Sequence, residues 1–129
     1  MKLQKTIKSE GRLSGRGLFG GQEVKVLFRP AEPDTGIVFM RTDLPEPVSI
    51  RVCPEHIAYR QRRSAIGNGQ VVVETPEHCL AAAGALEIDN LLVELDGQEF
   101  PGFDGSCEEY FRILQKCGTA EQTSHRRLF

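Results

Sequence analysis

A chain of 129 residues is enough for one compact domain and too short for two. With 40% hydrophobic and 26% charged residues and a net charge of −2, it has the balance of a soluble globular protein, and the charge gives no reason to expect nucleic acid or an anionic membrane as partner. No stretch approaches the roughly 20 apolar residues of a transmembrane helix, and the opening MKLQKTIKSEGRL has no apolar run of signal-peptide length, so the cytoplasm is the expected compartment.

Taken in chain order, the first half reads as strands broken by turn chemistry. Gln4 to Lys8 alternates polar and apolar residues, and Val24 to Phe28 forms a second run that ends at Pro30, where a ladder loses its donor. Between them, Gly15-Arg16-Gly17-Leu18-Phe19-Gly20-Gly21 has the glycine content of a turn or a close-approach loop. Ile37 to Met40 fits a short buried strand, and Val48 to Val52 alternates weakly after Pro45 and Pro47. Gly67-Asn68-Gly69 marks a turn into the β-branched run Val71 to Val73.

The period changes in the second half. Thr75-Pro76-Glu77 predicts a helix start, with Thr75 as cap, Pro76 at the first helical position and an acid in the first turn. Ala81, Ala82, Gly84 and Ala85 keep that helix slim enough to lie close to a sheet. Leu91 to Leu95 is a further strand, followed by the Asp96-Gly97 turn signal. Ser106-Cys107-Glu108-Glu109 reads as a capping box opening a helix that buries Tyr110, Phe111 and Leu114 and stops at Gly118. These elements predict a single α+β domain over residues 1–120, a two-layer sandwich of a mainly antiparallel sheet with two helices on one face, and a linker or tail over 121–129.

Cys53, Cys79, Cys107 and Cys117 show neither a CxxC pair nor a disulfide framework and read as reduced thiols; a zinc site drawn from Cys53, His56, His78 and Cys79 lacks the tight spacing such sites show. Glu77 and His78 are the pair with chemical promise. A helix start favours a neutral, metal-competent imidazole, and a carboxylate beside a metal-ligating histidine is placed to take a proton from water. Helix capping and a surface histidine explain the same residues without any activity, and on spacing alone that explanation is stronger. The glycine loop lacks the ending of a P-loop, and Arg60, Arg62 and Arg63 read as a solvated basic edge. Asp104-Gly105-Ser106 is accounted for by a turn feeding a helix cap.

The order of segments adds a further signal. Gly15 to Gly21, Leu27-Phe28-Arg29-Pro30-Ala31, Asp34 to Phe39, Arg41-Thr42-Asp43-Leu44, Thr75-Pro76-Glu77-His78, Ile88-Asp89-Asn90 and Phe100 to Ser106 follow in register the first half of a known enzyme family. The chain resembles the N-terminal domain of the zinc-dependent UDP-3-O-acyl-N-acetylglucosamine deacetylases, which remove an N-acetyl group from a UDP-linked acylated glucosamine in lipid A biosynthesis. The resemblance implies two similar α+β halves with zinc and substrate between them. It makes His78 the first zinc ligand and Glu77 the general base. The family's other ligands, a histidine and an aspartate in a His-Lys-x-x-x-Asp segment, and its later acid histidine are not in this sequence, whereas a catalytic zinc normally has three protein ligands. Phe19 and Gly20 stand where the family usually has His-Thr, and Arg60, Arg62 and Arg63 fall in a segment that in the family is rich in threonine and small or apolar residues. The resemblance thus implies zinc and the UDP-linked substrate only for a site completed by a second half, a complementary chain or a homo-oligomer. The alternative is a catalytically silent domain of the same fold acting as a binding or regulatory module.

Overall fold

The computed structural model describes residues 2–53, 57–60, 63–67, 71–103 and 107–126, with backbone alone for 57–60, 63 and 64. Its elements run β1 (Leu3–Ile7), β2 (Gly11–Arg16), β3 (Glu23–Pro30), β4 (Ile37–Arg41), β5 (Val48–Arg51), β6 (Ile57–Arg60), β7 (Arg63–Gly67), β8 (Val72–Glu74), α1 (Glu77–Ala85), β9 (Leu91–Leu95), α2 (Glu108–Cys117) and β10 (Thr119–His125). The fold is α+β. A five-stranded sheet in the order β2-β3-β9-β4-β5 is antiparallel throughout except where β4 and β9 run parallel. Strands β6, β7 and β8 make a smaller antiparallel sheet, and β1 pairs with β10 in a two-stranded ribbon.

Strand β9 enters late in the chain and lies at the centre of the large sheet. Val93 pairs with Phe28 on one side and Phe39 on the other, and Leu91, Val93 and Leu95 are fully buried. Cross-strand partners share a face, so this register stacks Val26, Phe28, Phe39 and Ile50 on the same side. Cys79, Ala82 and Ala83 from α1 and Tyr110, Leu114 and Cys117 from α2 join them in one core. Phe39, Phe100, Tyr110 and Phe103 form a chain of edge-to-face contacts through its middle, with centroids 5.0–6.1 Å apart. The opposite face of the sheet carries charge, including Arg29 forked between Glu10 (3.1 Å) and Glu94 (3.0 Å).

Three expectations change. Residues 121–125, read as part of a linker or tail, belong to β10, a polar strand with no hydrophobic period to announce it. Neither helix is capped as expected. Pro76 rather than Thr75 stands at the N-cap of α1, and Cys107 rather than Ser106 at that of α2, both without a side-chain cap bond. The Thr75 hydroxyl is turned elsewhere, and Ser106 lies outside the described residues, as do Asp104 and Gly105. Gly118 does end α2, at φ 75°. The glycine-rich stretch also splits, since Gly15 and Arg16 finish β2 and only 17–22 turn the chain.

Polar clasps replace apolar packing at the sheet edges. Buried Asn90 donates to Gln4 Oε1 (2.8 Å) and Gln122 Oε1 (2.7 Å), and its own Oδ1 accepts from Gly36 N–H (2.9 Å). Asp89 accepts from the Lys5 amide (2.8 Å) and from Arg126 Nε (2.9 Å), and Thr6 Oγ1 donates to the Asn90 carbonyl (2.7 Å). The Asp89-Asn90 pair is therefore one tie between the β1–β10 ribbon and the large sheet, beside the bonds of Thr6 and Gln122 to Ala31 and of Gln4 to Asp34. At the other edge, buried Arg41 clamps Asp43 through two bonds (3.0 and 2.5 Å) and donates to the Val72 carbonyl (3.2 Å), linking the end of β4 to β8. No described helix is long and apolar enough to cross a membrane.

Replacing Asn90 by Ala removes the partner of Gln122 Oε1 and of the Gly36 amide and one of the two donors to Gln4 Oε1, which keeps the Asp34 amide. It should cost about 2–4 kcal/mol in urea denaturation, against a few tenths for an exposed asparagine. The Arg41 hydrogen bond holds the Asp43 carboxyl below its ordinary value of 3.8. A depressed carboxyl contributes stability above its unfolded value and loses it as pH falls through the folded one. Denaturation midpoints should drop as pH is lowered through and below 3.8, and Asp43→Asn should flatten that part of the curve; an unaltered slope would show that the pair is energetically silent.

Candidate active site

Glu77 and His78 occupy the first turn of α1, Glu77 exposed and His78 half-buried. Their place is set by an abrupt turn out of β8. Glu74 is held on both sides, its amide donating to the Gln98 carbonyl (2.7 Å) and its carbonyl accepting from Phe100 N–H (3.0 Å). Thr75, almost fully buried, then takes φ 57°, a left-handed conformation that a β-branched residue adopts at a cost of about 1–3 kcal/mol. Its hydroxyl donates to Glu99 Oε2 at 3.4 Å instead of capping the helix. The chain bends at Thr75 and delivers Glu77 and His78 at the mouth of a helix whose first turn lacks a side-chain cap.

Glu99, which sequence reasoning did not single out, sits at the centre of this region. It is buried, pairs with Glu74 through an isolated bridge, and accepts backbone N–H bonds from Phe19 (3.0 Å) and Gly20 (2.8 Å). The glycine loop closes on itself by Gly17 N–H to Gln22 O and Gly21 N–H to Gly17 O, both 3.1 Å. Amides that a phosphate cradle would need are thus occupied by a side chain of the protein, and the loop is the turn between β2 and β3. Gly17 has no room for a side chain, because a Cβ there would strike the Glu99 carboxylate; one on Gly102 would strike Leu18. Leu18 and Phe19 remain about half exposed, at 52% each. A cavity of about 300 Å³ beside the loop is lined by Gly20, Gln22, Val24, Glu74, Gln98 and Glu99.

The neighbouring groups are electrostatically quiet. Burial pushes the Cys79 thiol up to about 12, so at neutral pH it is a neutral thiol within the core. Burial, with the charges of Glu77 and Glu99 adding, also raises the Tyr110 phenol well above its ordinary value; it stays a neutral donor to the Pro101 carbonyl at 2.5 Å. Among the described residues no three His, Cys, Asp or Glu side chains converge as a metal-binding group. His78 is the single described side chain that the family resemblance offers to zinc, so a complete zinc site does not fit the described residues. His56 and Arg62 lie outside the described residues, and Arg60 and Arg63 pair in register across the β6–β7 hairpin.

The pattern of the UDP-3-O-acyl N-acetylglycosamine deacetylase family matches residues 4–129. A UDP-3-O-acyl-N-acetylglucosamine deacetylase of Bdellovibrio bacteriovorus is 41% identical over 127 residues, covering 98% of this chain and 42% of that protein. Proteins of the same name from Thioalkalivibrio sulfidiphilus and Myxococcus xanthus are 40% and 42% identical, with 98% and 97% of this chain covered but only 42% and 40% of theirs. The chain therefore spans about two fifths of the length of these relatives. Since the match runs through β1, the glycine loop, α1 and β10 alike, this chain belongs to the UDP-3-O-acyl N-acetylglycosamine deacetylase family.

Proposed function

We propose that this chain is the N-terminal half of a zinc-dependent deacetylase acting on a UDP-linked 3-O-acyl-N-acetylglucosamine in lipid A biosynthesis, and that it has no activity without the second half. The observation that carries the reading is the strained elbow at Thr75, which holds Glu77 and His78 at the exposed start of α1 within a family match covering nearly the whole chain. Strain in a buried β-branched residue persists only where the surroundings enforce it, and it is commonest where side chains are aimed for use. In this reading Glu77 would be the base that accepts a proton from the attacking water, and His78 would give one imidazole nitrogen to the metal. A zinc held jointly by His78 and ligands of the second half would supply Lewis acidity towards the acetamide carbonyl.

The outer face of α1 supports a covering partner. Apart from Glu77 and His78 the helix has no charged or strongly polar residue, and Ala81, Gly84 and Ala85 are exposed. A helix apolar on every side is normally buried on every side. A second reading, a silent binding module of the same fold, draws on Phe19 and Gly20, whose amides are already bound by Glu99.

The deciding experiment mixes this chain with the unmatched remainder of the Bdellovibrio bacteriovorus relative, adds zinc, and measures acetate release from the UDP-linked acylated glucosamine. Activity that is absent from either piece and present in the mixture supports the deacetylase reading; binding without turnover supports the silent module. In the active mixture Glu77→Gln should lower kcat by about 10²- to 10⁴-fold, and His78→Ala should abolish both activity and bound zinc. Both variants should keep the chain's melting temperature within a few degrees, since neither side chain belongs to the core. A Cβ at Gly84 would meet nothing within 4 Å, so Gly84→Gln should leave the isolated chain as stable or slightly more stable. In titrations against the second piece it should weaken association about tenfold or more. Unchanged affinity would remove the outer face of α1 from the contact.

A further inference from the structure

We propose that Glu99 is a positioning residue, clasping the 17–21 loop to the Thr75 elbow so that the Leu18–Phe19 edge stands at a fixed distance from Glu77 and His78. The proposal rests on the deacetylase reading for its catalytic consequence, but the clasp itself is a property of this chain. One carboxylate serves three partners: the amides of Phe19 and Gly20, at 3.0 and 2.8 Å, and the Thr75 hydroxyl at 3.4 Å. The first two lie on the loop between β2 and β3; the third is two residues before Glu77. Remaining backbone bonds of the loop, Gly17 to Gln22 and Gly21 to Gly17, are internal and fix its shape without fixing where it sits. Among the described residues its position is set by contacts that include the Glu99 carboxylate, the Gly102 amide bound to the Arg16 carbonyl at its base (2.9 Å), and Leu18 lying over Gly102.

A buried carboxylate accepting two adjacent backbone amides makes charge-assisted bonds, stronger than those between neutral groups. The geometry also explains two glycines. Gly17 does not have a positive φ, so its requirement is one of space, and the space it leaves is filled by the Glu99 carboxylate. Gly102 leaves space for Leu18. Loop, elbow and the Phe100-Pro101-Gly102-Phe103 segment thus form one contact set with Glu99 at its hub, and Leu18 and Phe19 stay half exposed because their backbone is anchored.

Two variants approach the clasp from opposite sides. Glu99→Gln keeps size and burial but leaves one good acceptor for two amides. Gly17→Ala leaves Glu99 in place and pushes a methyl group into its carboxylate. In amide hydrogen exchange on this chain, both should speed exchange at Phe19 and Gly20 about tenfold or more, while Phe28, Leu91 and Val93 on the central strands stay within about twofold. Unchanged exchange at Phe19 and Gly20 would overturn the clasp. Acceleration throughout the sheet would reduce Glu99 to a residue of general stability and overturn its positioning role. In the mixture with the second piece, Glu99→Gln should raise KM about tenfold with kcat within about threefold, because the loop bears on substrate placement while the backbone bonds of Glu74 to Gln98 and Phe100 still hold the Thr75 elbow. A fall in kcat at constant KM would contradict that role. Should the wild-type mixture show no turnover at all, the deacetylase reading fails by itself, and the exchange measurement still decides whether Glu99 holds the loop.

Discussion

The structure depends on the late insertion of β9 between β3 and β4. A strand flanked on both sides needs hydrogen bonds along both edges and apolar contacts on its inner face, and Leu91, Val93 and Leu95 meet that demand with no exposure. Until β9 arrives, the β2–β3 and β4–β5 hairpins are separate two-stranded units of the kind that is marginal in water. Its arrival joins them, creates the surface on which α1 and α2 pack, and fixes the exit from which the chain runs to Glu99. The sheet and the site are therefore formed together: Glu99 lies four residues past the end of β9, and its neighbour Phe100 belongs to the aromatic chain.

The segments that carried the family resemblance prove to be mostly connectors with specific hydrogen-bond duties. Asp89 and Asn90 seat the terminal ribbon, and Arg41 with Asp43 holds the small sheet. Phe100 to Phe103 supplies aromatic packing and the space for Leu18. Each duty combines a donor or acceptor count with a tight geometry, and few substitutions satisfy both. A buried asparagine whose three bonds are all made cannot become leucine without orphaning its partners. Glu77 and His78 differ in kind: Glu77 is exposed, His78 is half-buried, and neither belongs to the apolar core.

How far the sequence could be read follows from the same distinction. Strand β3 and helix α2 were legible because burial on one face imprints a period on residue type, as in Val24, Val26 and Phe28, whereas β4 and β9 showed as short apolar runs and α1 through its Thr75-Pro76-Glu77 start. Strand β2 (GRLSGR) and strand β10 (TAEQTSH) carried no such imprint. Gly11 lies where a Cβ would meet Cys117 and Ile113, so close approach to α2 selected glycine in place of an apolar residue. Strand β10 is held by glutamines and backbone rather than by apolar side chains: Gln122 donates to the Ala31 carbonyl (2.8 Å) and Arg126 N–H to the Lys2 carbonyl (2.8 Å). The cap of α1 was misread because a threonine before Pro-Glu satisfies the local rule, while the distant Glu99 competes for its hydroxyl. Glu99 itself was invisible, since a lone glutamate after a turn has no local signature; only the tertiary contact with Phe19 and Gly20, some eighty positions away, gives it meaning.

The strained elbow bears on what a half site can be. On the proposed reading, Glu77 and His78 meet the rest of their active site only when a second half arrives, and any disorder in them would then have to be removed at that moment, at a cost to association and to catalysis. Thr75 locates that cost in folding instead. Its unfavourable φ is enforced by the backbone bonds of Glu74 to Gln98 and Phe100 and by the bond to Glu99, all within a region anchored to β9. Folding of this chain alone therefore sets the backbone direction at Glu77 and His78, and a partner needs to supply ligands and cover rather than order. The uncharged outer face of α1 is consistent with that division, since a preformed apolar surface with few rotatable side chains loses little entropy on being covered.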